Sequence, residues 1–293
     1  MPIAILGPTA SGKSAVAVAV ARRMGGTVVN GDPYQAIAGL AIGTGQPDAA
    51  ERGGVLHLGY GELPLSARPN PTAFGAWVRE RLSTCREAVL VTGSGLYLRG
   101  IWDQLSDLPE VPSAMVERVR RWGSALGMPV LHRYLAAVDP ARAAALHPND
   151  SARIQRALAL HLGSGQAPST FLSGLDTGIP GDWRVLVVTP GRERQRERVA
   201  ARVAAQVRAG WPEEARSLVA EGHAADLVAL RPLGYAAWMA GGDPADISVA
   251  VIQETQAYAK RQATWFRNQL PGAPTWDPDT ESMETAFARL GLA

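Results

Sequence analysis

The sequence predicts an α/β protein: a doubly wound parallel sheet with helices on both faces, carrying an inserted all-helical subdomain. Two observations lead there. Short apolar strands alternate with helices up to about residue 108 and resume at residue 183, and such alternation builds a parallel sheet covered on both faces. Between those points, from about Pro109 to Asp182, helical spacing continues without a convincing strand. The expected division is a core of 1–108 and 183–293 around an insertion of 109–182.

The elements follow from local pattern. Pro2–Leu6 is a short apolar strand, and Lys13–Met24 alternates small and apolar residues as a buried helix does. Thr27–Asn30 (TVVN) reads as a second strand ending just before Asp32. Pro71–Arg86 spaces as a helix with Thr72 as its expected N-cap. Ala88–Val91 is a strand running into the turn Thr92–Gly95. In the insertion, Val111–Leu126, Val130–Ala137 and Asp150–Leu162 carry helical spacing, followed by a Gly/Ser/Pro-rich stretch from Gly163 to Gly181. Trp183–Thr189 (WRVLVVT) restores a strong strand. An Arg-rich helix is expected at Arg192–Arg208 and an amphipathic one near Ile247–Asn268, the chain beyond the last strand being mainly helical.

Composition narrows the class. Hydrophobic residues make up 46% and charged residues 19%, ordinary for a globular chain. No apolar run reaches the roughly eighteen residues of a membrane span. From Met1 an apolar segment leads straight into a glycine-rich motif, with no basic leader or cleavage site. The single cysteine, Cys85, excludes an intramolecular disulfide and a cysteine zinc cluster. The expectation is a cytoplasmic protein without membrane contact, and nothing demands more than a monomer. A net charge of +2 does not by itself announce a nucleic-acid binder. Of 29 basic residues only Lys13 and Lys260 are lysines, so a lysine kept inside the motif indicates that its compact ammonium is wanted there.

That motif is Gly7–Ser14, GPTASGKS, a GxxxxGK[ST] P-loop lying between a strand and a helix, which makes the expected core P-loop NTPase-like. Gly7, Pro8, Thr9, Ala10, Ser11, Gly12, Lys13 and Ser14 form the expected phosphate cradle. Its glycines let backbone N–H groups turn inward, the helix N-terminus adds partial positive charge, Lys13 reaches the outer phosphates, and the Ser14 hydroxyl can ligate Mg²⁺. The motif specifies phosphate rather than nucleotide. P-loop hydrolases usually hold Mg²⁺ with an Asp at the end of an apolar strand, whereas Ala88–Val91 runs into Thr92, Gly93 and Ser94 with no acid. Asp32 lies instead beyond the strand after the P-loop helix, where strand ends open on the ligand crevice. There it either ligates Mg²⁺ or takes a proton from an acceptor. A small-molecule or nucleotide kinase accounts for the P-loop and Asp32 equally well; a non-catalytic P-loop regulator has no use for Asp32.

Further segments follow in a fixed order: Asn30–Pro47 (NGDPYQAIAGLAIGTGQP), Thr92–Tyr97 (TGSGLY), His147–Leu158 (HPNDSARIQRAL), the Arg-rich Arg192–Ala215 with Gly210 and Glu214, Gly234-Tyr235, and Lys260–Arg267 (KRQATWFR). With GPTASGKS, this series resembles the motifs of the bacterial tRNA dimethylallyltransferases, also called tRNA isopentenyltransferases, essentially end to end. Pro33 stands where that family has Ser, Ile37 where it usually has Tyr, Gln46 for Lys, and Thr92 and Ser94 for Gly and Thr, whereas Asp32 and Gln35 are intact. The kinase reading does not explain TGSGLY, HPNDSARIQRAL or the final helical third.

The resemblance implies transfer of a dimethylallyl group from dimethylallyl diphosphate to the exocyclic N6 amine of the adenosine next to the anticodon of tRNA. It implies that the P-loop, Lys13 and a Mg²⁺ held partly by Ser14 stabilise the leaving diphosphate, with Arg202 as a clamp. Asp32 is then the expected general base for a weakly nucleophilic amine, and Ser94 hydrogen-bonds the reacting region. The target base must leave its stack, so tRNA contacts are expected from Asp32, Pro33, Tyr34, Gln35 and Ser94. Others are expected from Arg153, Ile154, Gln155 and Arg156 in the insertion, and from Arg231, Gly234 and Tyr235. Arginines at i and i+3 on a helix also describe an ordinary solvated face. His147 is expected to orient the Asp150 turn, and Trp265 to belong to the core.

Overall fold

Alternation along the first strand sets the layering. Ile3 and Ile5 enter a core with Val16, Val20, Phe287 and Leu290, while Ala4 and Leu6 enter a second core with Phe74, Val78, Leu98 and Phe266. A strand buried on both faces is the mark of a parallel sheet sandwiched by helices. In the computed structural model, which describes residues 1–106, 108–172 and 178–292, the sheet comprises β1 (Ile3–Leu6), β2 (Thr27–Asn30), β3 (His57–Leu58), β4 (Ala88–Thr92), β5 (Arg184–Val188) and β6 (Thr275–Trp276). Their order is β3-β2-β4-β1-β5-β6 and every neighbouring pair is parallel.

The helices Lys13–Met24 and Arg192–Arg208 have the bounds their spacing predicts. The helix after residue 70 starts at Pro71 as expected but ends earlier, at Ser83, and its N-cap is Asn70, not Thr72. The Asn70 side chain accepts the Ala73 N–H at 2.8 Å, and Pro71 occupies the first helical position, where its missing N–H would have had no partner. The amphipathic helix near the C-terminus is longer than expected, Pro244–Gln269, because Asp243 caps it through the Ala245 N–H. The two-residue strands β3 and β6 carry too little sequence for any period to show.

Backbone contacts divide the chain into two units, Met1–Asp103 with Thr177–Ala293, and Gln104–Asp176. The second unit contains the helices Ser113–Leu126, Met128–Val138, Pro140–Ala144 and Ser151–Ser164 and a 3₁₀ turn at Pro168–Phe171. It has its own core, including Val119, Leu131, Leu135, Leu146, Ile154 and Leu158. Buried Asp139 pins it internally, capping the Pro140–Ala144 helix through the Arg142 N–H at 2.9 Å and accepting the Ser169 N–H at 2.6 Å. Residues 173–177, part of the Gly/Ser/Pro-rich stretch, lie outside the described residues. Among the described residues no helix is long and apolar enough to cross a membrane.

Candidate active site

Because β1, β2 and β4 are parallel neighbours, the loops leaving their carboxyl ends meet on one edge of the sheet. These are the P-loop, the Gly31–Asp32 segment and the Thr92–Gly95 turn. Backbone and side chain fasten them together. The Gly31 N–H donates to the Val91 carbonyl at 2.8 Å. The buried Thr92 hydroxyl donates to the Gly31 carbonyl at 2.8 Å and accepts the Ser94 N–H at 3.1 Å.

The P-loop turns sharply into its helix, with Gly12 at φ +90° and Ala10 at φ +57°, a left-handed conformation uncommon for a residue with a Cβ. Lys13 is half-buried and its Nζ donates to the Pro8 carbonyl at 3.3 Å. Not all eight motif residues offer an amide to a ligand. Pro8 has no N–H, and the Thr9 N–H is already bound to Gln262 Oε1 at 2.8 Å. Ser14 is exposed on the first turn of the helix.

Asp32 caps a single turn of its own. Its Oδ1 accepts the N–H of Tyr34 at 2.9 Å and of Gln35 at 3.4 Å, and its backbone N–H donates to Asn30 Oδ1 at 2.8 Å. Pro33 therefore occupies the first position of a capped turn, where a missing N–H costs nothing.

A cavity of about 260 Å³ opens beside these loops, lined by Thr9, Lys13, Asp32, Tyr34, Gln35, Arg202 and Arg231 among the residues singled out from sequence. Burial pulls Lys13 down to about 8, helped by the neighbouring Arg202 charge and opposed by Asp32. Burial pushes the Asp32 carboxyl above its ordinary range, against the pull of Lys13, the two turn amides and Arg202. Burial likewise lowers Arg202, opposed by Glu51 and Asp32. Two cations and one carboxylate thus share a poorly solvated site. Among the described residues no group of three His, Cys, Asp or Glu side chains is placed to hold a metal ion.

A family model described as IPP transferase matches residues 35–269, and a second, described as isopentenyl transferase, matches residues 2–57. The chain belongs to the IPP transferase family. It is 37% identical to the tRNA dimethylallyltransferase of Rhodospirillum centenum, over 94% of this chain and 92% of that one. Identity to the Sinorhizobium medicae enzyme of the same name is also 37%, with the same coverage. The tRNA isopentenylpyrophosphate transferase of Bacillus halodurans superposes with a TM-score of 0.66 at 26% identity, covering 99% of this chain and 96% of that one. A eukaryotic dimethylallyltransferase shares the fold, with a TM-score of 0.75 at 21% identity over 98% of this chain and 77% of its own.

In this IPP transferase the segment Ala41–Gly45 is held from every side. Glu214 accepts the N–H groups of Ile42 and Gly43 at 2.8 and 3.0 Å. Gln35 Nε2 donates to the carbonyls of Thr44 and Gly45 at 3.0 and 2.8 Å, and Arg202 Nη2 to that of Thr44 at 3.0 Å. Gln206 Nε2 takes the carbonyls of Ile42 and Gly43 at 2.8 and 3.0 Å. Tyr235, expected at an RNA contact, is fully buried against Trp211 and donates its hydroxyl to Glu214, so its side chain braces this segment instead. Gly234 is buried beside it. Gln46 serves the same region, donating to the Ile37 carbonyl at 2.9 Å.

Ser94 caps the Gly95–Ile101 helix with no side-chain hydrogen bond, and it does not line the cavity. Arg153, Ile154, Gln155 and Arg156 lie in the other unit, on the Ser151–Ser164 helix. Arg153 and Arg156 are exposed, Arg153 pairing with Asp150 at 2.9 Å. Ile154 corrects the sequence expectation: its side chain is fully buried in that unit's core and cannot meet RNA. His147 Nδ1 accepts the Asn149 N–H at 3.2 Å, ordering the approach to Asp150. Trp265 packs partly buried against the second core, as expected. Sequence reasoning missed Gln206, Leu233, Tyr258 and Gln262 on the cavity wall; KRQATWFR was the available signal for Gln262.

Proposed function

We propose that the chain transfers the dimethylallyl group of dimethylallyl diphosphate to the exocyclic N6 amine of the adenosine adjacent to the anticodon in tRNA. The observation that carries this reading is the convergence of Lys13, Arg202 and Asp32 on one cavity at the P-loop, a cationic grip beside a carboxylate poised to take a proton. As the allylic C–O bond breaks, its electron pair goes to the diphosphate. The amine nitrogen bonds the allylic carbon, and its proton passes to Asp32. Lys13, Arg202 and the free P-loop amides stabilise the leaving charge without reorganising, and removal of one such donor costs about 3–4 kcal/mol. Ser94, on the turn that Thr92 fastens to Gly31, would hydrogen-bond the reacting region once the substrates are bound.

Mg²⁺ belongs to this proposal. The exposed Ser14 hydroxyl is a hard oxygen donor, suited to an ion that takes its other ligands from substrate phosphate oxygens and water. Bound there, Mg²⁺ would neutralise developing diphosphate charge. The helical unit, through Arg153 and Arg156, grips the tRNA backbone, and the site of action is the cytoplasm, where tRNA is modified.

Incubation with dimethylallyl diphosphate, Mg²⁺ and unmodified tRNA is expected to yield prenylated adenosine, read by mass spectrometry of the digested RNA. ATP consumption without transfer would overturn the proposal.

A further inference from the structure

Gln262 lies on the Pro244–Gln269 helix, far along the chain from the P-loop, yet it is buried and uses both ends of its carboxamide at the site. Its Oε1 accepts the Thr9 N–H at 2.8 Å, and its Nε2 donates to the Gly93 carbonyl at 2.8 Å. The orientation of the amide is therefore set by its partners: one is an obligatory donor, the other an obligatory acceptor. The contact is close enough to dictate sequence. A Cβ at Gly93 would lie 2.7 Å from Gln262 Nε2 and 3.0 Å from the Gly7 carbonyl oxygen. One turn on, a Cβ at Gly95 would overlap the Trp265 ring. The helix thus seats on the Thr92–Gly95 turn through two gaps that only glycine leaves open. The other side of the Thr9 peptide is also held, since Gln195 Nε2 donates to the Thr9 carbonyl.

We infer that Gln262 is a positioning residue for the transfer reaction. It locks the P-loop to the Thr92–Gly95 turn, so that the diphosphate grip and Ser94 keep one fixed separation. The inference rests on the proposed prenyl transfer for its chemistry, but its geometry concerns phosphate binding whatever the acceptor. A carboxamide is suited to this as few side chains are, because it supplies a donor and an acceptor on one rigid plane.

The test uses the full chain with Gln262→Met and Gln262→Glu. Met fills the space but makes neither bond. Glu accepts from Thr9 but, ionised, faces the Gly93 carbonyl without a proton to donate. For Gln262→Met, affinity for inorganic pyrophosphate by calorimetry and kcat for transfer are each expected to fall about tenfold or more, as two buried groups lose their partners. Its tRNA affinity should stay within about twofold of wild type. For Gln262→Glu, kcat relative to wild type is expected to recover as pH falls and the carboxyl gains a proton. The thermal midpoint rises over the same range by linkage, so kcat is read well below that midpoint, where the variant is fully folded at every pH. If Gln262→Met fails to fold, the Glu pH profile and pyrophosphate affinity carry the test. Pyrophosphate affinity and kcat unchanged in either folded variant, or no recovery of kcat at low pH in the fully folded Glu variant, would overturn the inference. A wild-type chain that transfers no prenyl group would refute the proposed reaction instead, leaving pyrophosphate affinity to decide the role of Gln262.

Discussion

Asp32 Oδ1 accepts the Tyr34 amide hydrogen at 2.9 Å, so the carboxylate on the cavity wall is aimed by the turn it begins. Asp32→Asn keeps an acceptor for that bond but cannot take a proton. It is expected to fold with an unchanged thermal midpoint and to lose about 10²–10⁴-fold in kcat, with tRNA retention intact. Single-turnover transfer and filter binding measure the two effects; retained turnover would remove Asp32 from the role of base.

The shared electrostatics set a pH profile. Asp32 must be ionised to act, and its carboxyl lies above the usual carboxylate range, so kcat/KM rises as pH climbs through that raised value. Lys13 must be charged to hold phosphate, and it loses its proton near pH 8, so the rate falls above about 8. The expected result is a bell whose alkaline limb moves upward in Lys13→Arg, because a guanidinium stays charged. A titration of kcat/KM in both proteins decides it.

Thr92 stands where related sequences were expected to carry glycine, and its hydroxyl joins Gly31 to Ser94. Thr92→Val preserves shape while leaving a buried carbonyl and an amide unpaired. Denaturant unfolding should show a loss of about 1–3 kcal/mol.

Glu214 holds two amides and a phenol that together fix the Ala41–Gly45 segment against Arg202. Glu214→Ala is expected to raise the donor KM about tenfold or more, since hydrogen bonds to a charged group contribute about 1.5–3 kcal/mol. Steady-state kinetics at saturating tRNA, varying the donor, test this; an unaltered KM would separate the segment from donor binding.

In the helical unit, exposed Arg153 and Arg156 are the expected phosphate contacts. Alanine at either should weaken tRNA binding and reduce the slope of log K against log salt by about one. Equal slopes in mutant and wild type would assign these arginines to a solvated face.

The order of strands and helices was legible from sequence alone because burial on both faces of a parallel sheet leaves uninterrupted apolar runs, as in Ile3–Leu6 and Ala88–Thr92. The P-loop and Asp32 were equally legible, since their chemistry lies in contiguous residues at strand ends. Tertiary structure alone decided which side chains face the ligand and which hold the loops. Ile154 and Tyr235 sit inside recognisable motifs, yet one is core and the other a brace. The missing N–H of Pro33 is tolerated because Asp32 caps the turn around it. Gln262 reaches Thr9 and Gly93 across most of the chain, and no local pattern encodes a hydrogen bond between residues so far apart. Short-range periodicity determines elements; packing of the Pro244–Gln269 helix onto the sheet edge determines how the site is held.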